Sequence, residues 1–290
     1  MSSSPSSRSL LRARRALVAF GLALAALSTA SSATASDRRF TYVYNTEVLP
    51  PGAMELEPWT TVRLMHDRFY LGIDNKLEFE VGVAKNVQTA FYLNMSSTTE
   101  DVDTPTGVSR QSEFEWQGVS WEWKFKLLDA VADPVGFGLY IEPGIGPKEG
   151  EIEAKVLLDK RMGDVYFAYN LVGEYEVDFG SATEVEHEFI LENSLGVAYY
   201  VSPNVTVGIE VRDESKFEAG EGFVSSTLFG GPVASFGQNR WWAAMSVTPQ
   251  LGSIVGEEEE GEGEAGESES AFDLRGHERM QARLLFGYQL

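Results

Sequence analysis

Charged and polar residues recur on one face, two or four positions apart, in several stretches of this 290-residue chain: Glu78 and Glu80; Glu122, Lys124 and Lys126; Glu153 and Lys155; Glu188 and Glu192; Glu210 and Arg212; Arg279, Gln281 and Arg283. Glu142 ends another such stretch, and Asn170 sits on the polar side of a neighbouring one. Carboxylates of one sign could bind a cation, and mixed signs could pair or could select a passing solute by charge. Nucleophilic and soft-metal chemistry has thinner support. There are three histidines, His66, His187 and His277, none with a partner at metal-ligand spacing, so no zinc or copper centre is expected and no metal ligand is assigned. Ser194 and His187 lie seven apart on one expected strand, on opposite faces. No serine, histidine and acid constellation, P-loop, dinucleotide fingerprint or basic-aromatic patch is present. The expectation is a non-enzyme with no catalytic residues and no cofactor.

Period two means strands, because successive side chains of a strand point to opposite faces. The face opposite the charges is apolar: Leu77, Phe79, Val81 and Val83; Phe91 and Leu93; Val119, Trp121, Trp123 and Phe125; Val135, Phe137, Leu139 and Ile141; Val165, Phe167 and Tyr169; Val205, Val207, Ile209 and Val211. The alternation predicts about twelve strands: Met54 to Met65, Lys76 to Ala84, Val87 to Met95, Ser112 to Leu127, Val135 to Glu142, Glu151 to Asp159, Asp164 to Val172, Glu186 to Tyr200, Val205 to Arg212, Phe223 to Ala234, Trp241 to Thr248 and Phe272 to Leu290. The pieces Val81 to Leu93 and Leu195 to Val211 share Gly-Val-Ala, a polar turn and Asn-Val, and read as hairpins.

The connections alternate in length. Lys85-Asn86, Asp129 to Pro134, Lys160 to Gly163, Val201 to Asn204 and Phe236 to Asn239 are short. His66 to Asn75, Ser96 to Gln111, Pro143 to Gly150, Gly173 to Val185, Asp213 to Gly222 and Pro249 to Ala271 are mostly longer. A soluble β-sandwich has no reason to keep that parity, whereas an antiparallel up-and-down transmembrane β-barrel has short turns on one side and long loops on the other. The fold class expected is therefore all-β, a barrel of about twelve strands. Its outer face would meet outer-membrane lipid, and its lumen would be lined by Glu78, Glu80, Glu122, Lys124, Lys126, Glu142, Glu153, Lys155, Glu188, Glu192, Glu210, Arg212, Arg279 and Arg283. Trp123, Trp241 and Trp242 are assigned to the aromatic girdles; Trp59, mid-strand, fits a girdle poorly.

The ends of the chain agree with export. Arg8, Arg12, Arg14 and Arg15 precede an apolar run, Ala16 to Leu27, and an Ala33-Thr34-Ala35 site. This predicts a cleaved signal peptide over residues 1–35 and a single domain over 36–290. Four of the 23 basic residues and none of the 44 acidic ones lie in that leader, leaving 19 basic against 44 acidic, a formal charge of −25. Such a surface repels nucleic acid. With no cysteine, neither disulfides nor a lipid-modified cysteine are available. The acidic run Gly256 to Ser270, in an external loop at about 250–271, reads as a solvated segment extended by its own charge; the alternative is a cation-attracting screen. The last residues, "ARLLFGYQL", alternate without a break to Leu290 and read as a closing strand recognised by the outer-membrane assembly machinery.

Tyr42 to Arg63 (YVYNTEVLPPGAMELEPWTTVR) resembles the opening of an uncharacterised family of Gram-negative outer-membrane β-barrels, in which a Leu-Pro-x-Gly turn leads into a Glu-x-Glu-x-Trp first strand. Trp121 to Asp129, Glu142 to Gly146 and Asn170 to Glu174 are similar to it as well. A more distant resemblance is to transporter-like barrels linked to aromatic-compound degradation. The resemblance implies fold and location, and carries no catalytic residues. The function expected is a passive channel or transporter-like pore for small solutes. The rivals are a closed structural or interaction barrel with functional loops, a lipid-acting barrel enzyme and a soluble periplasmic sandwich.

Overall fold

The computed structural model describes residues 38–105, 107–180, 185–255, 272–274 and 277–290. The leader assigned to residues 1–35 and the acidic run 256–270 lie outside the described residues.

Alternation produces twelve strands: β1 Met54–Leu64, β2 Tyr70–Ala84, β3 Val87–Thr104, β4 Gly107–Leu128, β5 Gly136–Ile145, β6 Glu149–Met162, β7 Val165–Asp178, β8 Glu186–Ser202, β9 Val205–Glu218, β10 Gly222–Gln238, β11 Trp241–Val255 and β12 Met280–Gln289. Each pairs antiparallel with its chain neighbour, and β12 pairs back onto β1, Glu55 opposite Gln289 and Leu64 opposite Met280, closing the barrel. Closure removes the sheet edge, and with it the unpaired N–H and C=O groups that hydrocarbon cannot satisfy.

The outer wall carries an apolar surface. Phe91, Leu93, Trp121, Leu139, Ile141, Leu195, Val207, Ile209, Met245, Leu284, Phe286 and Tyr288 are all exposed. Near the β10–β11 turn Trp241 packs on Phe236 and stacks on Phe286, with ring centroids 5.1 and 6.1 Å away. That suits an aromatic girdle. Short turns close the same end of the barrel. Gly163 (φ 62°) and Asn239 (φ 59°) supply the left-handed backbone of two of them.

Four features differ from the sequence reading. Most of the expected external loops are strand: β2 begins at Tyr70, β3 and β4 meet in a hairpin above Thr104, β9 runs to Glu218, and β11 runs to Val255. Above a bilayer both faces of a strand are wet, so polar residues fill both and the period-two signal disappears while the backbone ladder continues. Conversely, β12 starts at Met280, eight residues later than expected. Trp242 is 1% exposed and points inward, unlike its neighbour Trp241, because adjacent residues of a strand cannot share a face. Trp59 is likewise buried, which explains its poor fit to a girdle.

The largest difference is inside. Residues 38–50 form no strand and thread the barrel interior, where Phe40, Tyr42, Val43, Tyr44 and Leu49 are all buried. Two apolar clusters organise around them. One joins Tyr44 to Trp59, Tyr92, Tyr140, Leu157, Trp242 and Leu285. The other joins Phe40 and Val43 to Ala130, Tyr166, Ala168, Ala198 and Val233.

Candidate functional site: a plugged lumen with an acidic mouth

An irregular segment buried in a barrel must have its backbone satisfied by side chains of the wall. Here that task falls to four residues on four strands. Glu210 of β9 accepts from the backbone N–H of Thr41 (3.1 Å) and Tyr42 (3.0 Å) and from Thr41 Oγ1 (2.6 Å). Asn170 of β7 accepts from Tyr44 N (2.6 Å) and donates to Tyr44 O (2.9 Å). Asp159 of β6 accepts from Thr46 N (2.7 Å) and Oγ1 (2.9 Å). Gln88 of β3 accepts from Leu49 N (2.9 Å). Close packing needs small wall residues: a Cβ on Gly196 would stand 2.6 Å from the Phe40 ring.

The segment's aromatic rings are bracketed by cations. Arg283 and Arg212 lie 3.7 and 4.4 Å from the centre of the Tyr42 ring, whose hydroxyl donates to Gln281. Lys155 and Arg38 both lie 4.1 Å from the Tyr44 ring, and Arg38 is also 4.5 Å from Trp59. Each such contact, desolvated, contributes on the order of 1–2 kcal/mol. The segment is thus held by hydrogen bonds between its backbone and the carboxylates Glu210 and Asp159 and the amides Asn170 and Gln88, and by cation–π contacts at its rings.

The remaining residues singled out in the sequence lie at several heights of the barrel. Glu78, Glu80, Glu122, Lys124 and Glu142 are buried on the interior face; Glu142 accepts from Ser120 and Tyr140. Glu153 pairs with Lys155 at 2.9 Å and Glu192 with Arg212 at 3.4 Å, higher in the lumen. Glu188 pairs with Lys216 at 2.6 Å near the mouth. Lys126 lies at the closed end, paired with Asp129 of the following turn. Arg279 is not on a strand; it precedes β12, donates to the Gln250 carbonyl, and covers the Phe272 ring at 3.7 Å. Ser194 is buried while His187 is exposed and hydrogen-bonded to Tyr175 at 2.8 Å, so the two do not meet.

Above the segment the lumen is hollow. A cavity of about 200 Å³ is lined by Trp59, Thr61, Asp74, Lys76, Asn94, Gln117, Glu149, Glu151 and Arg283. A wider one of about 570 Å³ at the mouth carries seven carboxylates, Glu149, Glu176, Asp178, Glu186, Glu188, Glu218 and Glu221, against one lysine, Lys216. Glu149 borders both, so the two are adjacent. Sequence reading missed Asp159 and Gln88 as interior anchors. It also missed the whole segment 38–50, whose aromatic-polar text has no strand or helix period and is legible only once the wall that satisfies it is known.

A family described as "Family of unknown function (DUF6662)" matches residues 32–290. No curated protein matches the chain in sequence. Among solved structures, the COG4313 outer membrane channel from Pseudomonas putida F1 is similar at a TM-score of 0.59 and 13% identity, covering 87% of this chain and 100% of that one. The NanC porin is similar at a TM-score of 0.49 and 9% identity, covering 82% of this chain and 100% of that one. The first of these likenesses agrees with the closed-barrel fold.

Proposed function

The chain belongs to the DUF6662 family of unknown function, and from that premise we propose that it is an outer-membrane pore for small polar solutes, closed at rest by its own residues 38–50 and preferring cations. The observation that carries this reading is the division of the lumen: an acidic, hollow outer half above a packed inner half whose filling is not part of the wall. A pore that needed only to be sealed would be sealed by wall side chains meeting across a narrow barrel. Here the seal is a separate strand of chain, held by a few side chains that can let go. Export through a cleaved leader at residues 1–35 and recognition of β12 by the assembly machinery complete the proposal. The resemblance of the COG4313 channel supports the channel class.

A second reading, a closed barrel with functional external loops, draws on the same packed inner half. Planar-bilayer recording separates them. Wild type should show rare, small openings, and the Glu210→Ala variant, with the plug loosened, larger and more frequent ones. Absence of current from both, across many insertions of correctly folded protein, decides for the closed barrel.

A further inference from the structure

Beneath the outer cavity lies a group of carboxylates that the pore reading does not use. Glu78 and Glu80 of β2 and Glu122 of β4 are 1%, 5% and 1% exposed, and an oxygen of each lies within 4.8 Å of the others. Among the described residues none of the three has an ion-pair partner within 4.0 Å. The neighbouring cations stop short of an ion pair with them: Lys76 lies 5.8 Å from the Tyr92 ring, Lys124 5.8 Å from the Tyr44 ring, and Arg38 pairs with Glu57 at 3.6 Å.

Two observations say that something positive belongs among them. Glu78 Oε2 and Glu80 Oε2 are buried with no hydrogen-bond partner, and an unpaired carboxylate oxygen away from water is among the costlier things a fold can contain. The hydrogen bonding also fails to balance. The Tyr92 hydroxyl lies 2.6 Å from Glu78 Oε1 and 2.5 Å from Glu122 Oε2, yet it has one hydrogen to donate. One of those contacts therefore sets two oxygens together with no proton between them, which requires a shared cation or an extra proton.

We propose that Glu78, Glu80 and Glu122 form a buried site for a hard divalent cation, Ca²⁺ by its tolerance of a flexible, all-protein oxygen shell. Ca²⁺ takes oxygen ligands at about 2.3–2.6 Å, so ligands on opposite sides of it are about 4.6–5.2 Å apart. One oxygen of each carboxylate lies within 4.8 Å of the other two, inside that reach, and Ca²⁺ accepts an irregular, all-protein oxygen set where Mg²⁺ keeps several of its own waters. Gln88 orders the ligands, donating to Glu80 Oε1 at 2.8 Å while its own oxygen accepts from Leu49 N. The ion would thereby brace β2 to β4 beside the point where the plug leaves the lumen.

The test uses Tb³⁺ as the probe on the full mature protein in detergent, refolded after chelator treatment. Trp59 Nε1 lies 3.3 Å from Glu57 Oε2, beside Glu80, so tryptophan excitation should sensitise a bound Tb³⁺. The expected result is saturable luminescence displaced by Ca²⁺, weakened at least about tenfold in Glu80→Gln and in Glu122→Gln, and unchanged in Glu176→Gln at the mouth. Luminescence that Glu80→Gln leaves intact, or that Glu176→Gln abolishes, overturns the proposal by assigning the ion to the mouth. So does the absence of sensitised luminescence, which leaves protons as the balancing charge. Should the variants lose heat-modifiable migration, calcium content of wild type after metal-free gel filtration decides: about one ion per chain supports the site, none overturns it.

Discussion

Glu210 is the residue on which the internal segment depends most, because its two oxygens take three donors, the backbone N–H groups of Thr41 and Tyr42 and the Thr41 hydroxyl. Glu210→Ala orphans all three in a dry interior, at about 1–3 kcal/mol each, while leaving the β8–β9–β10 backbone ladder untouched. The segment should leave its seat before the barrel opens. The chain has no cysteine, so one introduced at Val43, which is 3% exposed, is a unique reporter: it should be inert to a maleimide in the otherwise wild-type barrel and labelled in the Glu210→Ala background. Equal protection in both would mean that Glu210 does not hold the segment. A second prediction concerns Asp129 in the short turn after β4. Hydrogen bonding from Lys126, then from the backbone N–H of Ala132 (3.0 Å) and Val131 (2.9 Å), holds its carboxyl well below the usual carboxylate range. A depressed folded pKa contributes stability that is complete above the unfolded value, about 3.9, and that is lost as pH falls towards the folded one. Asp129→Ala should therefore unfold more readily in urea than wild type at pH 7, and the gap should narrow steadily below about pH 4. A gap independent of pH would remove the charge from the explanation.

At the scale of elements, what was legible in the sequence was whatever lipid enforces. Between Leu77 and Val83 or Val205 and Val211, one face must be apolar and the other must not, so both strand and face could be read from the text; the turns at Lys85-Asn86 and Pro203-Asn204 followed from their polar residues. Where lipid stops acting, the signal stops too, which is why β3 from Ser96 to Thr104 reads as a loop although it is paired throughout with β4. Segment 38–50 was illegible for a different reason. Its conformation is set by Glu210, Asn170, Asp159 and Gln88, residues 39 to 169 positions away in the chain, and no local period encodes that. The carboxylates of the proposed cation site were each visible as inward-facing, but their convergence depends on the β2–β3–β4 register. The closing strand offers a test at this scale. Gln289 and Tyr288 pair with Glu55 and Leu56 on one side, and Tyr288 and Phe286 pair with Trp241 and Ala243 on the other. Deleting residues 286–290 removes the lower end of both ladders and exposes unpaired backbone at a depth where nothing replaces it. The heat-modifiable band should disappear in the truncated protein, whereas Leu290→Ala, beyond the last strand residue, should retain it.

For the molecule as a whole, charge is distributed by height. The inner half is filled by the plug, whose tyrosines are ringed by Arg38, Lys155, Arg212 and Arg283, and the buried carboxylates beside it, Glu78, Glu80 and Glu122, are those assigned to the proposed cation. The mouth is not balanced: seven carboxylates surround a space of about 570 Å³ with Lys216 alone opposing them, and Lys216 is already paired with Glu188 at 2.6 Å and Glu218 at 3.6 Å. A low-dielectric wall focuses such a field into the opening and raises the local concentration of cations there. Any current through the loosened Glu210→Ala pore should then be cation-selective, with a reversal potential under a salt gradient on the cation side. Because the mouth is wide and wet, the preference should depend on ionic strength: strong where the screening length is about 10 Å, near 0.1 M salt, and much reduced near 1 M, where it is about 3 Å. Glu176→Gln combined with Glu186→Gln removes two of the seven carboxylates without touching the plug's anchors, and should move the reversal potential towards zero at low salt while leaving the frequency of openings unchanged. Anion preference, or a cation preference indifferent to both salt and these substitutions, would place the selective element inside the barrel among the paired residues and not at its mouth.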